Sequence, residues 1–375
     1  MHKQYKDIIP VLLVTLLCLV GLFLRTDRMT YSHPDFTEIW DHRFYIEMAT
    51  NHPTNWYIAP FEYRILNPLL AKLLPFDVLI NFTILSFGAL WLTAIITYFM
   101  LRSLEFSNPL ALTGSLFFLS LGWATRFNIY DFWLSDPMGF LFIVAAMWSI
   151  FAKKDPLFLL LLAIGVTAKE NVLFVAPLYY TFNSKKLLDG KVLLRLLCLT
   201  APALIILFAL RMSIPTTNSE YNIVNLWQTI GLKRVQHLSK DLRDYLLLYS
   251  IGTFGVSLTL LPLFSIKQNY SLLCRFSPFI VLNYLSLLFA YNDSRIIVSA
   301  FPAIIIMALY GIKNISDKTG LHEKFFVFLP LSLIAFLLVK KDWFIVPSLY
   351  EALIFLLFLA FSLQSEWFTK KIKTA

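Results

Sequence analysis

IIPVLLVTLLCLVGLFLRTDRMTYSHPDFTEIWDHRFYIEMAT, residues 8–50, decides the fold. Its first part, residues 8–24, carries no charge and ends on Arg25. At about 1.5 Å per residue such a helix reaches roughly 25 Å, close to the ~30 Å hydrocarbon layer of a bilayer. No small-x-small cleavage site follows, so the segment reads as a first span and not as a signal peptide. Residues 38–50 then mix charges with Trp40, Phe44 and Tyr45, the composition of a helix lying in the membrane interface.

The remainder of the chain continues the pattern. Of its 375 residues, 58% are apolar and 15% charged, and Phe alone contributes 35. Soluble domains carry about 25% charged residues, and a chain of this size could not enclose so much hydrocarbon in its cores. Apolar segments fall at 8–24, 78–101, 108–124, 137–152, 156–168, 171–182, 192–212, 245–265, 278–291, 296–312, 325–339 and 344–363. The reading is an all-α polytopic membrane protein of about twelve segments, forming one domain over residues 1–375. Segments 156–168 and 171–182 are too short to cross alone. Lys169 and Glu170 interrupt them, which suggests a helix pair meeting at an embedded turn. Cys18, Cys198 and Cys274 show no pairing pattern and no CxxC, which excludes a disulfide framework and a thiolate zinc site. The net charge of +9 comes from Lys and Arg scattered in short loops, so no nucleic-acid partner is expected.

Short loops carrying Lys153, Lys154, Lys185, Lys186, Lys191, Lys313 and Lys318 place both termini on the cytoplasmic side. The outer segments are then 25–77 and 213–244. Within the first, residues 38–50 and 62–74 both read as short interfacial helices. No internal repeat is evident.

Acidic residues concentrate on the outer side. Asp41 shares a helix face with Tyr45. It reads either as a carboxylate stabilised by a helix start or as a general base facing an outer cavity. Arg64, in PFEYRILNPLLAKLLP (60–75), either snorkels to headgroups or clamps a phosphate. Asp136, before Pro137 in TRFNIYDFWLSDP (125–137), has the position of a helix cap. Arg126 and Arg295 stand at outer helix ends, where they neutralise a phosphate or mark the interface. Lys169 and Glu170 lie between apolar pieces, where charges must pair, meet water or do chemistry. Glu351 is a lone intramembrane acid to which no role is assigned. His33, Asp35, Asp41 and His42 match no zinc-ligand spacing, and HExxH, Walker A, GxGxxG and GxSxG sequences are absent.

These residues together resemble the GT-C superfamily of integral-membrane glycosyltransferases, which includes aminoarabinose transferases and protein O-mannosyltransferases. Asp41 and Tyr45 in DHRFYIEMA match the acidic D-x-x-x-Y-like context of that family's first outer loop. GVTAKENVLFVAP (165–177) is similar to a G-x-x-x-K-E stretch ending in Pro in bacterial relatives. NDSRIIVSAFPAIIIMALYGI (292–312) resembles their outer-end Arg followed by a Pro-containing helix. The likeness runs in order through residues 1–312.

The resemblance implies a sugar donor linked to polyprenyl phosphate and an acceptor that is a lipid, a glycan or a protein. It places transfer on the outer face of a bacterial inner membrane, among membrane lipids. Asp41 becomes the expected catalytic base, and Tyr45, Arg64, Asp136, Lys169, Glu170 and Arg295 the expected substrate-binding residues. Asp41 is followed by His42 and Arg43, so the family's paired-acid metal motif is missing. No cofactor is expected, and divalent-metal dependence has no support in these residues. A transporter or flippase of lipid-linked saccharides is the alternative from another class. Against it, the polar groups gather on one face and no repeat is present. An O-antigen-type polymerase is a third reading, but its large loop would come late in the chain and not first.

Overall fold

A computed structural model describes residues 2–37, 41–51, 59–214, 223–289, 292–340 and 344–373. Every regular element among them is helical. In chain order they are α1 (His2–Arg25), α2 (His42–Thr50), α3 (Leu66–Leu73), α4 (Val78–Ser103), α5 (Asn108–Ser120) and α6 (Arg126–Tyr130). Next come α7 (Asp136–Phe151), α8 (Asp155–Ala168), α9 (Ala176–Asn183), α10 (Gly190–Ser213), α11 (Ile223–Leu226) and α12 (Leu232–Leu260). The chain finishes with α13 (Tyr270–Leu285), α14 (Asp293–Ile297), α15 (Phe301–Thr319), α16 (Phe328–Val339) and α17 (Ser348–Lys373).

Local chemistry accounts for several boundaries. Asp77 caps α4 by accepting from the Leu79 amide at 2.9 Å, and Ser107 caps α5 ahead of Pro109. Asp189 accepts from the Lys191 and Val192 amides at the start of α10. Gly320, at φ 71°, ends α15 in the left-handed conformation that glycine adopts without penalty.

Five stretches among the described residues are long and apolar enough to cross a membrane: Ile8–Arg25, Val78–Ser103, Gly190–Ser213, Tyr270–Phe289 and Asp293–Thr319. Asp136–Phe151, Asp155–Ala168, Tyr249–Phe264 and Ser348–Gln364 are apolar but shorter. The twelve segments of the sequence reading all fall on helices, yet only five reach full spanning length. The remaining three coincide with α5, α9 and α16, of 13, 8 and 12 residues. At about 1.5 Å per residue these last are at most roughly 20 Å long, because hydropathy marks burial whether the surroundings are lipid or protein.

Burial separates the two environments. α5, α7 and α15 are enclosed almost all round and make the centre of the bundle. α10 and α17 instead leave rows of large apolar side chains outside, among them Leu197, Ile205, Phe208, Leu353, Leu357 and Phe361. An apolar face on that scale is unsuited to water.

Three elements expected on the outer side differ from the sequence pattern. Within 38–50 the described helix is His42–Thr50, and residues 38–40 lie outside the described residues. Residues 62–74 split into a 3-10 turn, Phe61–Tyr63, and α3, because Arg64 adopts non-helical backbone (φ −94°, ψ 57°). The described part of the expected outer segment 213–244 is largely helical, since α12 leads from Leu232 into the apolar stretch 249–264.

Candidate functional site

Residues 125–136 read as a polar loop but are almost wholly buried. Their groups are occupied by neighbours: Ser86 donates to the Asn128 carbonyl at 3.0 Å, the Met29 amide to the Tyr130 carbonyl at 2.8 Å, and Trp133 Nε1 to the Met29 carbonyl at 2.7 Å. This inner floor fixes Ser135 and Asp136 at the start of α7.

Arg126 belongs to the floor and not to a phosphate site. Its Nη1 donates to the carbonyls of Leu337 at 2.6 Å and Lys340 at 2.7 Å, and its Nη2 to the Arg25 carbonyl at 3.4 Å. A buried guanidinium thus serves the ends of α16 and α1, where helical carbonyls lack donors.

Above the floor lies a network of charges. Asp136 has a side chain with no exposure, and both its oxygens are engaged. Lys169 Nζ bonds Oδ1, while Arg295 Nε (3.1 Å) and Nη2 (2.7 Å) bond Oδ2. Arg295 Nη1 reaches across to Asp41 Oδ2 at 2.6 Å. Beside them Arg64 grips Glu170 in a bidentate pair, Nε to Oε2 and Nη2 to Oε1, both at 2.9 Å. Arg64 Nη1 also donates to the Tyr45 hydroxyl at 3.3 Å, which lies 3.0 Å from Ser135 Oγ.

All seven residues singled out in the sequence therefore occupy one region. Local structure explains how. α7 leaves from this end of the bundle and α8 returns to it, and Lys169 ends α8 in extended backbone (φ −161°, ψ 130°). That break sends Lys169 and Glu170 to different partners. Gly139, one turn beyond Asp136, meets the Lys169 stem so closely that an added Cβ would lie 3.2 Å from its Cβ and Cδ. The glycine lets the lysine lie flat on α7.

Two alternative readings fail in detail. Asp136 lies inside the first turn of α7 and makes no capping bond. Asp41 stands at the N-cap position of α2, but its side chain caps nothing and turns to Arg295. Asp136 is better described as a buried strut that positions two cations. Asp41 is the more accessible acid, with 30% of its side chain exposed.

Asp41, Asp136 and Glu170 balance Arg64, Lys169 and Arg295, three charges against three. Asp131, within the stretch TRFNIYDFWLSDP, is a fourth carboxyl. It is 2% exposed, and its Oδ1 has no hydrogen-bond partner. Burial raises its pKa to about 7; Arg295 opposes the rise, and the Asp41 and Asp136 charges add to it. Asp131 thus exchanges its proton near neutrality, next to the network. Glu62, fully enclosed two residues before Arg64, is likewise pushed up to about 7 by burial.

Among the described residues no group of three or more His, Cys, Asp or Glu side chains is arranged to hold a metal. His42 is buried and stacks on Phe36 at 4.4 Å, apart from His33, which sits 3.6 Å from Asp27. Chemically the network offers two partly exposed carboxylates, Asp41 at 30% and Glu170 at 29%, beside three fixed cations, an arrangement suited to receiving an anionic group. No protein-family model matches the chain, and no curated protein matches it significantly in sequence.

Proposed function

We propose that this protein is an integral-membrane glycosyltransferase of the GT-C type. It transfers a sugar from a polyprenyl-phosphate donor to an acceptor on the outer face of a bacterial inner membrane, with both termini cytoplasmic. The observation that carries the reading is the 2.6 Å contact between Asp41 and Arg295, with Lys169 and Arg64 alongside, at one end of an apolar helical bundle. The shorter apolar helices count with the five long ones as membrane-embedded segments, and the donor's tail lies along their exposed apolar faces.

The resting ion pairs give the site an order of events. A donor phosphate competes with Asp41 for Arg295 Nη1, because a guanidinium binds phosphate and carboxylate oxygens alike. Asp136 keeps Lys169 and the other edge of Arg295 in place meanwhile. Asp41, released, accepts the proton of the acceptor hydroxyl as its oxygen bonds to the anomeric carbon. The bond from that carbon to the phosphate oxygen breaks, and its electron pair leaves with the lipid phosphate. Lys169, Arg295 and Arg64 stabilise the charge that grows there.

The test is incubation of purified protein in liposomes with a panel of radiolabelled polyprenyl-phosphate sugars and an envelope-lipid acceptor extract. Label moving to acceptor supports transfer. Movement of intact donor between leaflets without transfer would assign a flippase instead.

A further inference from the structure

Glu351, in the first turn of α17, is 2% exposed, and its partners are backbone groups. Oε2 accepts from the Val256 amide at 2.9 Å and Oε1 from the Ser257 amide at 3.0 Å. Both amides follow Gly255, which sits at φ 78° inside α12. A side chain at Gly255 would collide with the Glu351 carboxylate as well as strain the backbone. In an unbroken helix these amides would bond the carbonyls of Gly252 and Thr253. Turned towards Glu351, these amides are drawn away from their helical acceptors.

Beside the break is a cavity of about 30 Å³, lined by Ser120, Gly122, Gly252, Thr253, Gly255 and Glu351 among others. That is room for one or two water-sized occupants. Thr253 is 4% exposed and its hydroxyl has no hydrogen-bond partner. Ser120 donates its own hydroxyl proton to the Phe117 carbonyl at 2.9 Å, which leaves lone pairs on Oγ. The groups around the cavity are thus oxygen acceptors: a carboxylate, two hydroxyls and main-chain carbonyls. Both Glu351 oxygens accept, as an ionised carboxylate does, and among the described residues no cation pairs with it.

We propose that this cavity binds one small monovalent cation, for which Na⁺ is the probe. One carboxylate supplies one charge, and hard oxygen ligands suit an alkali cation, whereas all-protein divalent sites use several carboxylates. The broken helix contributes on both sides. Its second half holds the carboxylate at a positive end, and its first half turns carbonyls to the ion. The site is separate from the charge network and stands whether or not the protein transfers sugars.

The experiment is thermal unfolding of the full-length protein in detergent, titrated with NaCl against N-methylglucamine chloride at constant ionic strength. Na⁺ should raise the midpoint saturably, by about 3 °C or more. Thr253→Val leaves the Glu351 staple intact and should raise the Na⁺ concentration for half-effect at least about tenfold. Glu351→Gln, where it folds, should lose the response. An unchanged titration in Thr253→Val, an equal effect of N-methylglucamine, or a midpoint indifferent to Na⁺ would overturn the site. Indifference to Na⁺ would leave a buried water as the occupant.

Discussion

Arg295 holds Asp41 through a 2.6 Å hydrogen bond between residues 254 positions apart in the chain. An acid with 30% of its side chain exposed is thereby paired to a largely buried cation. Asp41→Asn keeps the shape and a bond-accepting oxygen but cannot take a proton. Transfer should fall by about 10²–10⁴-fold, the usual contribution of a general base, with unfolding temperature little changed and donor binding equal or tighter, since the phosphate no longer competes with a carboxylate for Arg295. Near-normal turnover in the Asn variant would remove Asp41 from the chemistry.

Lys169 and Asp136 are expected to behave as a structural pair that also serves the site. Removing one partner of a buried pair typically costs about 3–5 kcal/mol. Lys169→Met and Asp136→Leu should each lower accumulation in the membrane. The double variant should recover only part of the accumulation, since Arg295 still lacks its Asp136 partner, while staying inactive. Full activity in the double variant would show that neither charge acts in turnover.

Asp131 should make stability depend on pH in a definite direction. Its folded pKa, about 7, lies above the ordinary 3.8. Between these values the folded state binds more protons than the unfolded, so this residue's contribution falls as pH rises and is fully unfavourable above about 7. Asp131→Asn should gain on wild type in midpoint between pH 5 and pH 8. Parallel pH curves for the two proteins would refute the raised pKa.

Gly255→Ala places a side chain at φ 78° against the Glu351 carboxylate. Left-handed backbone alone costs a non-glycine residue about 1–3 kcal/mol. The midpoint should drop by several degrees, whereas Gly252→Ala, with open space around its Cα, should be mild.

Orientation can be read by labelling. In a variant lacking Cys18, Cys198 and Cys274, a cysteine replacing exposed Asp27 should react with an impermeant maleimide on intact cells. One replacing Leu187, 93% exposed, should react only after permeabilisation. The reverse pattern would invert the topology.

The network was legible because charges are scarce in an apolar chain. Lys169 and Glu170, between two hydrophobic pieces, could survive only by pairing, and both pair. What the sequence could not convey is partnership with the main chain. Arg126 looked like an interface or phosphate residue because helix-end carbonyls leave no trace in residue identity. Glu351 looked partnerless for the same reason, its ligands being two amides. Asp131 was one acid among many until its neighbours came from distant segments. At α5 the apolar run is matched by a helix of only 13 residues, most of them enclosed by protein, and hydropathy alone does not separate such burial from lipid.

The span between Asp136 and Arg295, 159 residues, sets when this site can exist. Synthesis delivers Asp41 and Asp136 first and Lys169 soon after, but Arg295 follows only once α10, α12 and α13 have been made. A nascent chain halted before that point holds one buried carboxylate short of its second cation and another with no cation at all. The ribosome thus completes the charge network as one of its later acts, and a prematurely stopped product is electrostatically unfinished.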